Sequence, residues 1–424
     1  MALALFGSFI FLLLIGVPIS FALGLASVYS LVTIIETPLI IGAQTMFAAV
    51  DSFPLMAIPF FILAGNVMSG GGISRRLTKF AAVMVGNLTG GLAHVSIISS
   101  MFFAAISGSS PATTAAIGGI MVPEMEKRGY SKEFSTAVVS AAGTVGVVIP
   151  PSIPMVLYGV LAGTSIGMLF LGGFGPGILM GIAMMIVAYF ISKKNGYVGD
   201  EKVPFAEGLK IFVDSIWALL MPIIILGGIY GGVFTPTEAA AVAVVYGIIV
   251  GLFVYKELKV KDLPKIMFDS AIGTATIMML IATANLFGWL LVSNQIPQKI
   301  AQAMLSVSSN PLVILFLFNI LLLIVGTFLN TTAAVVLLTP ILLPVMKAVG
   351  LDPVFVGVIM VVNLAVGMIT PPVGLCLFVG CNIGKVSIEQ LTKSIMPFLI
   401  ALIICIFLIT YIPPIIMFLP NLLY

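Results

Sequence analysis

Charge is scarce in this sequence. Only 8% of its 424 residues are Asp, Glu, Lys or Arg, against roughly 25% in a soluble domain. So few charges cannot cover a water-facing surface, and an ordinary soluble protein is excluded. Histidine occurs once, at His94, and cysteine three times, at Cys376, Cys381 and Cys405, all in apolar segments. The thiols therefore read as packing residues rather than disulfide partners or metal ligands. There is no HExxH zinc motif, no paired acid and no nucleophile beside an oriented base, so no enzyme is expected. The net charge of +3 lies in short loops and forms no nucleic-acid-binding face. What the chain has in abundance is apolar sequence, 61% of all positions, in long runs from end to end. The expected fold class is an all-α polytopic protein of the lipid bilayer. Its N-terminus, "MALALFGSFIFLLLIGVP", is apolar without the basic start of a secretory signal, and reads as a retained first span.

Proline and glycine stand where a membrane helix tolerates them poorly. "VGVVIPPSIPMVLYG" (145–159) and "VGMITPPVGLCLFVG" (366–380) each place adjacent prolines inside an apolar run. Such a pair removes backbone donors and clashes with the preceding turn, so a continuous helix cannot pass. The two stretches are 221 residues apart, and at that shift Pro123, Pro150, Pro151 and Pro176 meet Pro344, Pro371, Pro372 and Pro397. Windows 109–180 and 330–401 hold six prolines each, for which chance gives about 0.5 coincidences, yet four are found. Gly129, Gly146, Gly159 and Gly163 likewise meet Gly350, Gly367, Gly380 and Gly384. Upstream, at a shift of 218, Pro18 meets Pro236 and Asp51-Ser52 meets Asp269-Ser270. The second half thus reads as a diverged copy of the first.

Basic loops orient the copies. Arg75, Arg76 and Lys79 precede one apolar block, and Lys127, Arg128 and Lys132 follow it. Short Lys/Arg-rich loops favour the cytoplasm, so residues between them must enter the membrane and return. The corresponding places in the second half carry only Lys299 and Lys347, as expected on the opposite side. Lys193, Lys194, Lys202 and Lys210 mark another cytoplasmic loop, and Lys256, Lys259, Lys261 and Lys265 a further one. Spans are expected near 3–17, 19–36 and 51–73, then a re-entrant hairpin at 90–123, a broken span at 132–160 and a closing span at 168–191. The second half repeats this at 213–230, 238–255 and 266–292, with a hairpin at 312–344, a broken span at 353–380 and a closing span at 395–418. Residues 1–195 and 213–424 form two repeats of five spans each, one of them broken, joined by a cytoplasmic connector at 196–212. An odd number of crossings makes the repeats inverted, the plan of secondary transporters.

Non-helical backbone at membrane depth survives only when buried in protein or lining a wet cavity. The breaks at Gly143–Pro154 and Gly367–Pro372 free carbonyls, and the hairpin tips "SGSSPATT" (107–114) and "GTFLNTT" (326–332) add hydroxyls and an amide. Together these are hard oxygen ligands for a small cation, with no carboxylate needed. The alternative is that small residues merely allow close helix packing. Other features have plain readings. Glu238 completes an N-terminal capping box with Thr235, and Asp51-Ser52 and Asp269-Ser270 read as span-opening caps. His94 reads as a hydrogen-bonded structural residue. "GCNIGKV" (380–386) falls one residue short of a phosphate loop, and no other ATPase machinery accompanies it. Residues 73–84 and 294–304 have the spacing of interfacial helices.

"FTPTEAAAVA" (234–243), "SGSSPATTAAIGGIMVPEM" (107–125) and "PPSIPMVLYG" (150–159) resemble the large membrane subunit of tripartite ATP-independent periplasmic (TRAP) transporters, and the likeness covers essentially the whole chain. That resemblance implies a bacterial inner-membrane location, a small membrane subunit of about four spans, and a periplasmic substrate-binding protein. It implies Na⁺-driven uptake of an organic acid, of the sialic acid or C4-dicarboxylate class, by an elevator motion, with two or more coupling ions. By resemblance one Na⁺ site uses Ser107, Ser109 and Ser110 with Gly143, Gly146, Val148 and Pro150. The other uses Gly326, Asn330, Thr331 and Thr332 with Gly367, Ile369 and Pro371. Pro111 in the first tip stands where Thr332 stands in the second, so the two sites need not bind equally. Thr113, Ser152, Asn363 and Thr370 are the substrate-cavity candidates. The rival readings are a self-sufficient Na⁺/dicarboxylate carrier of related architecture, a passive channel, and an intramembrane enzyme. A channel needs a continuous pore that two opposed hairpins would block.

Overall fold

The computed structural model describes residues 2–33, 38–307 and 310–423, and every regular element among them is helical. Residues 34–36, the end of the second expected span, lie outside the described residues, as do the chain-end positions 1 and 424. Eight described helical segments are long and apolar enough to cross a membrane.

One group of helices comprises α1 (Ala2–Leu14), α2 (Ile19–Thr33), α3 (Leu39–Val50) and α4 (Ala57–Gly70), with α5 (Ile73–Val85) following after one tight turn. Next come the arms of the first hairpin, α6 (Gly91–Ser107) and α7 (Ser110–Lys127), then α8 (Lys132–Gly143), α9 (Ile153–Ala162) and the long α10 (Ile166–Asn195). The second half opens with α11 (Phe205–Tyr230), α12 (Pro236–Ile249), α13 (Leu263–Ser293) and α14 (Ile296–Val307). It continues with α15 (Pro311–Phe328), α16 (Thr331–Ala348), α17 (Pro353–Gly367), α18 (Leu375–Gly384), α19 (Ile388–Tyr411) and α20 (Pro414–Leu423).

Packing sorts these helices into two assemblies. Helices α2, α3 and α4 lie on α13, α4 also on α12, and α11 on α12, forming a frame. Helices α6–α10 and α15–α20 form the second assembly, which holds most of the densely buried backbone. Its two halves exchange partners: α7 packs on α18, and α16 packs on α9. Between the assemblies run α5, on α11 and α6, and α14, on α13 and α16. These are the segments whose helical spacing suggested interfacial helices.

Both broken spans break where the prolines stand. Helix α8 ends at Gly143 and gives way to a 3₁₀ turn at Thr144–Val147, and α9 starts only at Ile153. Helix α17 ends at Gly367 and α18 starts at Leu375. The Pro150–Pro151 and Pro371–Pro372 peptides are both cis. Ser152 restarts the first helix, its hydroxyl accepting from the Met155 N–H and donating to the Val147 carbonyl.

Several boundaries differ from expectation, each for a physical reason. The closing span runs Ile388–Tyr411, because Pro413 and Pro414 end the helix and start the separate α20 against α10. Asp269-Ser270 does not open a span. It lies inside α13, where Ser270 accepts a 2.8 Å hydrogen bond from the Asn66 amide and donates to the Ile266 carbonyl. Ser52 begins a 3₁₀ turn without capping it by its side chain. The Thr235–Glu238 capping box is present in full. His94 Nε2 lies 3.1 Å from the Thr89 carbonyl oxygen, the structural bond expected of it.

Candidate functional site

A cavity of about 700 Å³ opens between the two assemblies. Asn66 and Ser69 of α4, with Thr276 of α13 and Ser20 of α2, face it from the frame. Ser107 and Ser109 of the first tip and Asn330 and Thr332 of the second face it from the other assembly. The two tips, 221 residues apart in sequence, therefore meet at one chamber. Its polar lining is hydroxyls and amides with no charged side chain, and Ile62, Phe103, Ile153, Ile277 and Leu375 supply apolar walls. Such a chamber suits a small solute held by neutral donors.

Each tip is fastened to the broken helix behind it by the same kind of bond. The Ile153 N–H donates to the Gly108 carbonyl at 3.4 Å, and the Gly374 N–H donates to the Thr327 carbonyl at 3.1 Å. Ile153 and Gly374 are themselves related by the 221-residue shift. Gly108 turns the first tip with φ 59°, and a β-carbon there would meet the Pro151 carbonyl oxygen at 2.9 Å, so both conformation and space require glycine.

The residues expected to hold the first ion gather at this junction. Ser110 Oγ donates to the Thr144 carbonyl at 3.1 Å, and Ser107 Oγ lies 2.8 Å from Thr113 Oγ1. Gly146 lies against Ser109, whose carbonyl oxygen would be 2.7 Å from a β-carbon there. Gly143 abuts Thr114 and Ser110, and Val148 and Pro150 close the break behind them, both buried. At the second junction the backbones of Gly326 and Gly367 touch, a β-carbon on Gly367 falling 2.5 Å from Gly326 Cα. Asn330 caps α16, its side-chain oxygen accepting from the Ala333 N–H at 2.7 Å. The buried Thr331 hydroxyl has no hydrogen-bond partner. Ile369, in sequence register with Val148, is buried, while Pro371 is half-buried. A buried hydroxyl without a partner is uncommon in a protein interior and leaves a polar atom open to a further ligand. No cluster of His, Cys, Asp or Glu suited to a metal occurs among the described residues.

The four expected substrate residues lie elsewhere. Thr113 bonds to the Ser109 carbonyl within its own tip, Ser152 caps α9, and Thr370 donates to the Val366 carbonyl. Asn363 is buried, donating to Asn319 Oδ1 at 2.9 Å, and Asn319 in turn donates to Thr410. None of the four lines the cavity. The frame residues that do line it, Asn66, Ser69 and Thr276, were missed by sequence reasoning. Their one signal was a polar side chain in the middle of an apolar span, which is costly unless a partner or wet cavity receives it.

Below Ser69 a second cavity of about 290 Å³ adjoins the first, since Ser69 and Ala116 line both. It runs between α5 and α7 to a charged cluster. There Arg76 pairs with Glu257 at 2.7 Å and Asp214 at 3.4 Å, and lies 3.6 Å over the Tyr255 ring. Burial pushes the Tyr255 phenol up to about 12, so it stays a neutral donor to the Asp214 carbonyl. The loops carrying Arg75-Arg76 and Lys256–Lys261, both expected on the cytoplasmic side, are thus joined at one end of the molecule.

Comparison with known proteins agrees with this architecture. A family model described as "Tripartite ATP-independent periplasmic transporter, DctM component" matches residues 6–415. The isethionate TRAP transporter permease protein DctMQ of Oleidesulfovibrio alaskensis is 50% identical over 98% of this chain, which spans 65% of that protein's own length. The sialic acid TRAP transporter large permease protein SiaM of Vibrio cholerae is 39% identical over 97% of this chain and 96% of its own. The C4-dicarboxylate TRAP transporter large permease protein DctM of Rhodobacter capsulatus is 39% identical over 100% and 99%. Among solved structures, the YdaH transporter of Alcanivorax borkumensis superposes with a TM-score of 0.63 at 16% identity, covering 87% of this chain and 86% of its own. MtrF of Neisseria gonorrhoeae superposes with a TM-score of 0.60 at 14% identity, covering 87% and 84%. These two speak to the fold alone. The chain belongs to the DctM component family of the tripartite ATP-independent periplasmic transporters.

Proposed function

We propose that this chain is the large membrane component of a Na⁺-driven uptake system for a small organic acid. The observation that carries the reading is the meeting of both hairpin tips, from two sequence-related halves, at one chamber of about 700 Å³ against the frame. In this reading the halves are inverted repeats, and the cations sit where each tip joins its broken helix. They supply positive charge beside a chamber that has none of its own, and the solute's anionic head lies near them. The hairpins and broken helices travel as one body past the frame, with α5 and α14 as the connecting struts. A small membrane subunit braces the frame in the bacterial inner membrane, and a periplasmic binding protein delivers the solute. The DctMQ relative is longer than this chain, which leaves about a third of its length for a further component.

The anionic head is a carboxylate or a sulfonate. Relatives named for sialic acid and C4-dicarboxylates stand at 39% identity, and the one named for isethionate, a small sulfonate, at 50%. The test is uptake into proteoliposomes holding the chain and its small subunit, with an inward Na⁺ gradient. Labelled isethionate, succinate and sialate are supplied with and without the cognate binding protein. Uptake requiring both Na⁺ and binding protein is expected. Uptake without the binding protein would make this a self-sufficient carrier, and uptake indifferent to Na⁺ would remove the ion sites.

A further inference from the structure

We infer that the second cavity is an oxyanion station on the solute's path out of the chamber, built from Arg75, the Ser74 hydroxyl and the N-terminus of α5. The inference rests on the transport reading above and adds to it a site that the two ion junctions do not contain.

Of the residues lining the two cavities, Arg75 alone is cationic. A solute leaving the uncharged chamber past Ser69 and Ala116 meets there its first cationic side chain, with Glu257 on the same wall. The local chemistry is complementary to an oxyanion in three further ways. Helix α5 begins at Ile73 after Gly72, a residue with φ 77° and no side chain to cap the helix, and the Glu257 carboxylate lies against Gly72 at this helix start, already marking it as a place for an oxyanion. Ser74, in the first turn, lines the cavity, and its buried hydroxyl has no hydrogen-bond partner. Gly119, on the α7 wall, leaves the space opposite open, since a β-carbon there would meet nothing within 4 Å.

The two neighbouring arginines differ in how firmly they are held. Arg76 is 14% exposed, bonds Glu257 at 2.7 Å, donates to the Gly72 carbonyl and is stacked on Tyr255. Arg75 is 63% exposed and reaches Glu257 at only 3.3 Å. An exposed pair of that length contributes little, whereas Glu257 also has the shorter Arg76 pair, to a guanidinium it shares with Asp214. Arg75 can therefore turn from Glu257 to a passing anion while Glu257 keeps its 2.7 Å bond to Arg76. A guanidinium offers paired donors that match both carboxylate and sulfonate. Arg75 thus acts as an exchangeable ligand, and Arg76 is the fixed counter-charge that makes the exchange inexpensive.

The test reads local charge directly and does not need transport. Gly119→Cys is made in a background lacking the three native thiols, in the full chain with its small subunit. It is labelled in inside-out vesicles with methanethiosulfonates bearing either a sulfonate or a trimethylammonium group. With Arg75 present the sulfonate reagent should react faster, and the ratio of the two rates should fall roughly fivefold in Arg75→Gln, the scale of one unit charge at a partly screened site. Arg75→Lys should keep the ratio, and isethionate or succinate should slow the labelling only while a cation is present. Ser69→Cys, lining both cavities, serves as a second reporter should Gly119→Cys fold poorly. A ratio unmoved by Arg75→Gln at either reporter overturns the station even if uptake proves Na⁺-driven. Intact ratios with no uptake would leave the station standing and sink the transport reading.

Discussion

Ser110 and Thr331 hold the same register in the two hairpin tips, 221 residues apart. Ser110 spends its hydroxyl on the Thr144 carbonyl, while Thr331 keeps a buried hydroxyl with no partner. An unmade hydrogen bond of this kind costs about 1–3 kcal/mol, which a bound cation would offset. Thr331→Val preserves the shape and removes the oxygen. It is expected to raise the Na⁺ concentration for half-maximal uptake roughly tenfold, equivalent to about 1.4 kcal/mol, while Thr331→Ser stays near the starting value. An unchanged Na⁺ dependence in Thr331→Val would remove this residue from the ion site. Serine and threonine stretches at the tips were legible in the sequence as candidate ligands. Which hydroxyl is already paired was not, because pairing depends on a carbonyl from another helix.

At the scale of elements, the helix breaks are the most local feature and the most legible one. Adjacent prolines keep either span from running as one helix in any surroundings, because the missing N–H and ring clash are properties of the residues themselves. What keeps a broken helix in place is longer in range. The backbones of Gly326 and Gly367 touch across 41 positions of chain, and a β-carbon on Gly367 would fall 2.5 Å from Gly326 Cα. Gly367→Ala should destabilise the second junction by about 1–3 kcal/mol, the usual range for overpacking, and lower the thermal midpoint in detergent. Gly119→Ala, placed in open space inside α7, should leave that midpoint unmoved or raise it slightly, since alanine favours the helix. Equal midpoints for both variants would show that the junction is looser than its geometry. The same distinction explains the misread Asp269-Ser270. Asp and Ser cap helices locally, but α13 runs straight through them because Asn66 gives Ser270 a partner from the frame.

For the whole molecule the question is whether the second assembly slides along the frame. Gly288 of α13 and Pro340 of α16 face each other across that boundary, with a β-carbon on Gly288 falling 3.6 Å from Pro340 Cβ. That separation suits a disulfide. Gly288→Cys paired with Pro340→Cys should transport when reduced, stop when oxidised, and recover on reduction. Full uptake in the oxidised form would rule out sliding at this contact. Composition by itself determined that the chain is a helical membrane protein, because so few charges cannot clothe a surface in water. Proline and glycine spacing showed the 221-residue correspondence between the two halves of the sequence and where helices could not run through, because those residues act on their own backbone. Only the tertiary structure decided which polar side chains face the chamber and which are consumed in the interior. It placed Asn66, Ser69 and Thr276 at the cavity, and Thr113, Ser152, Asn363 and Thr370 away from it. The physical reason is range: a helix break is decided within a few residues, whereas a cavity wall is decided by how separate helices pack.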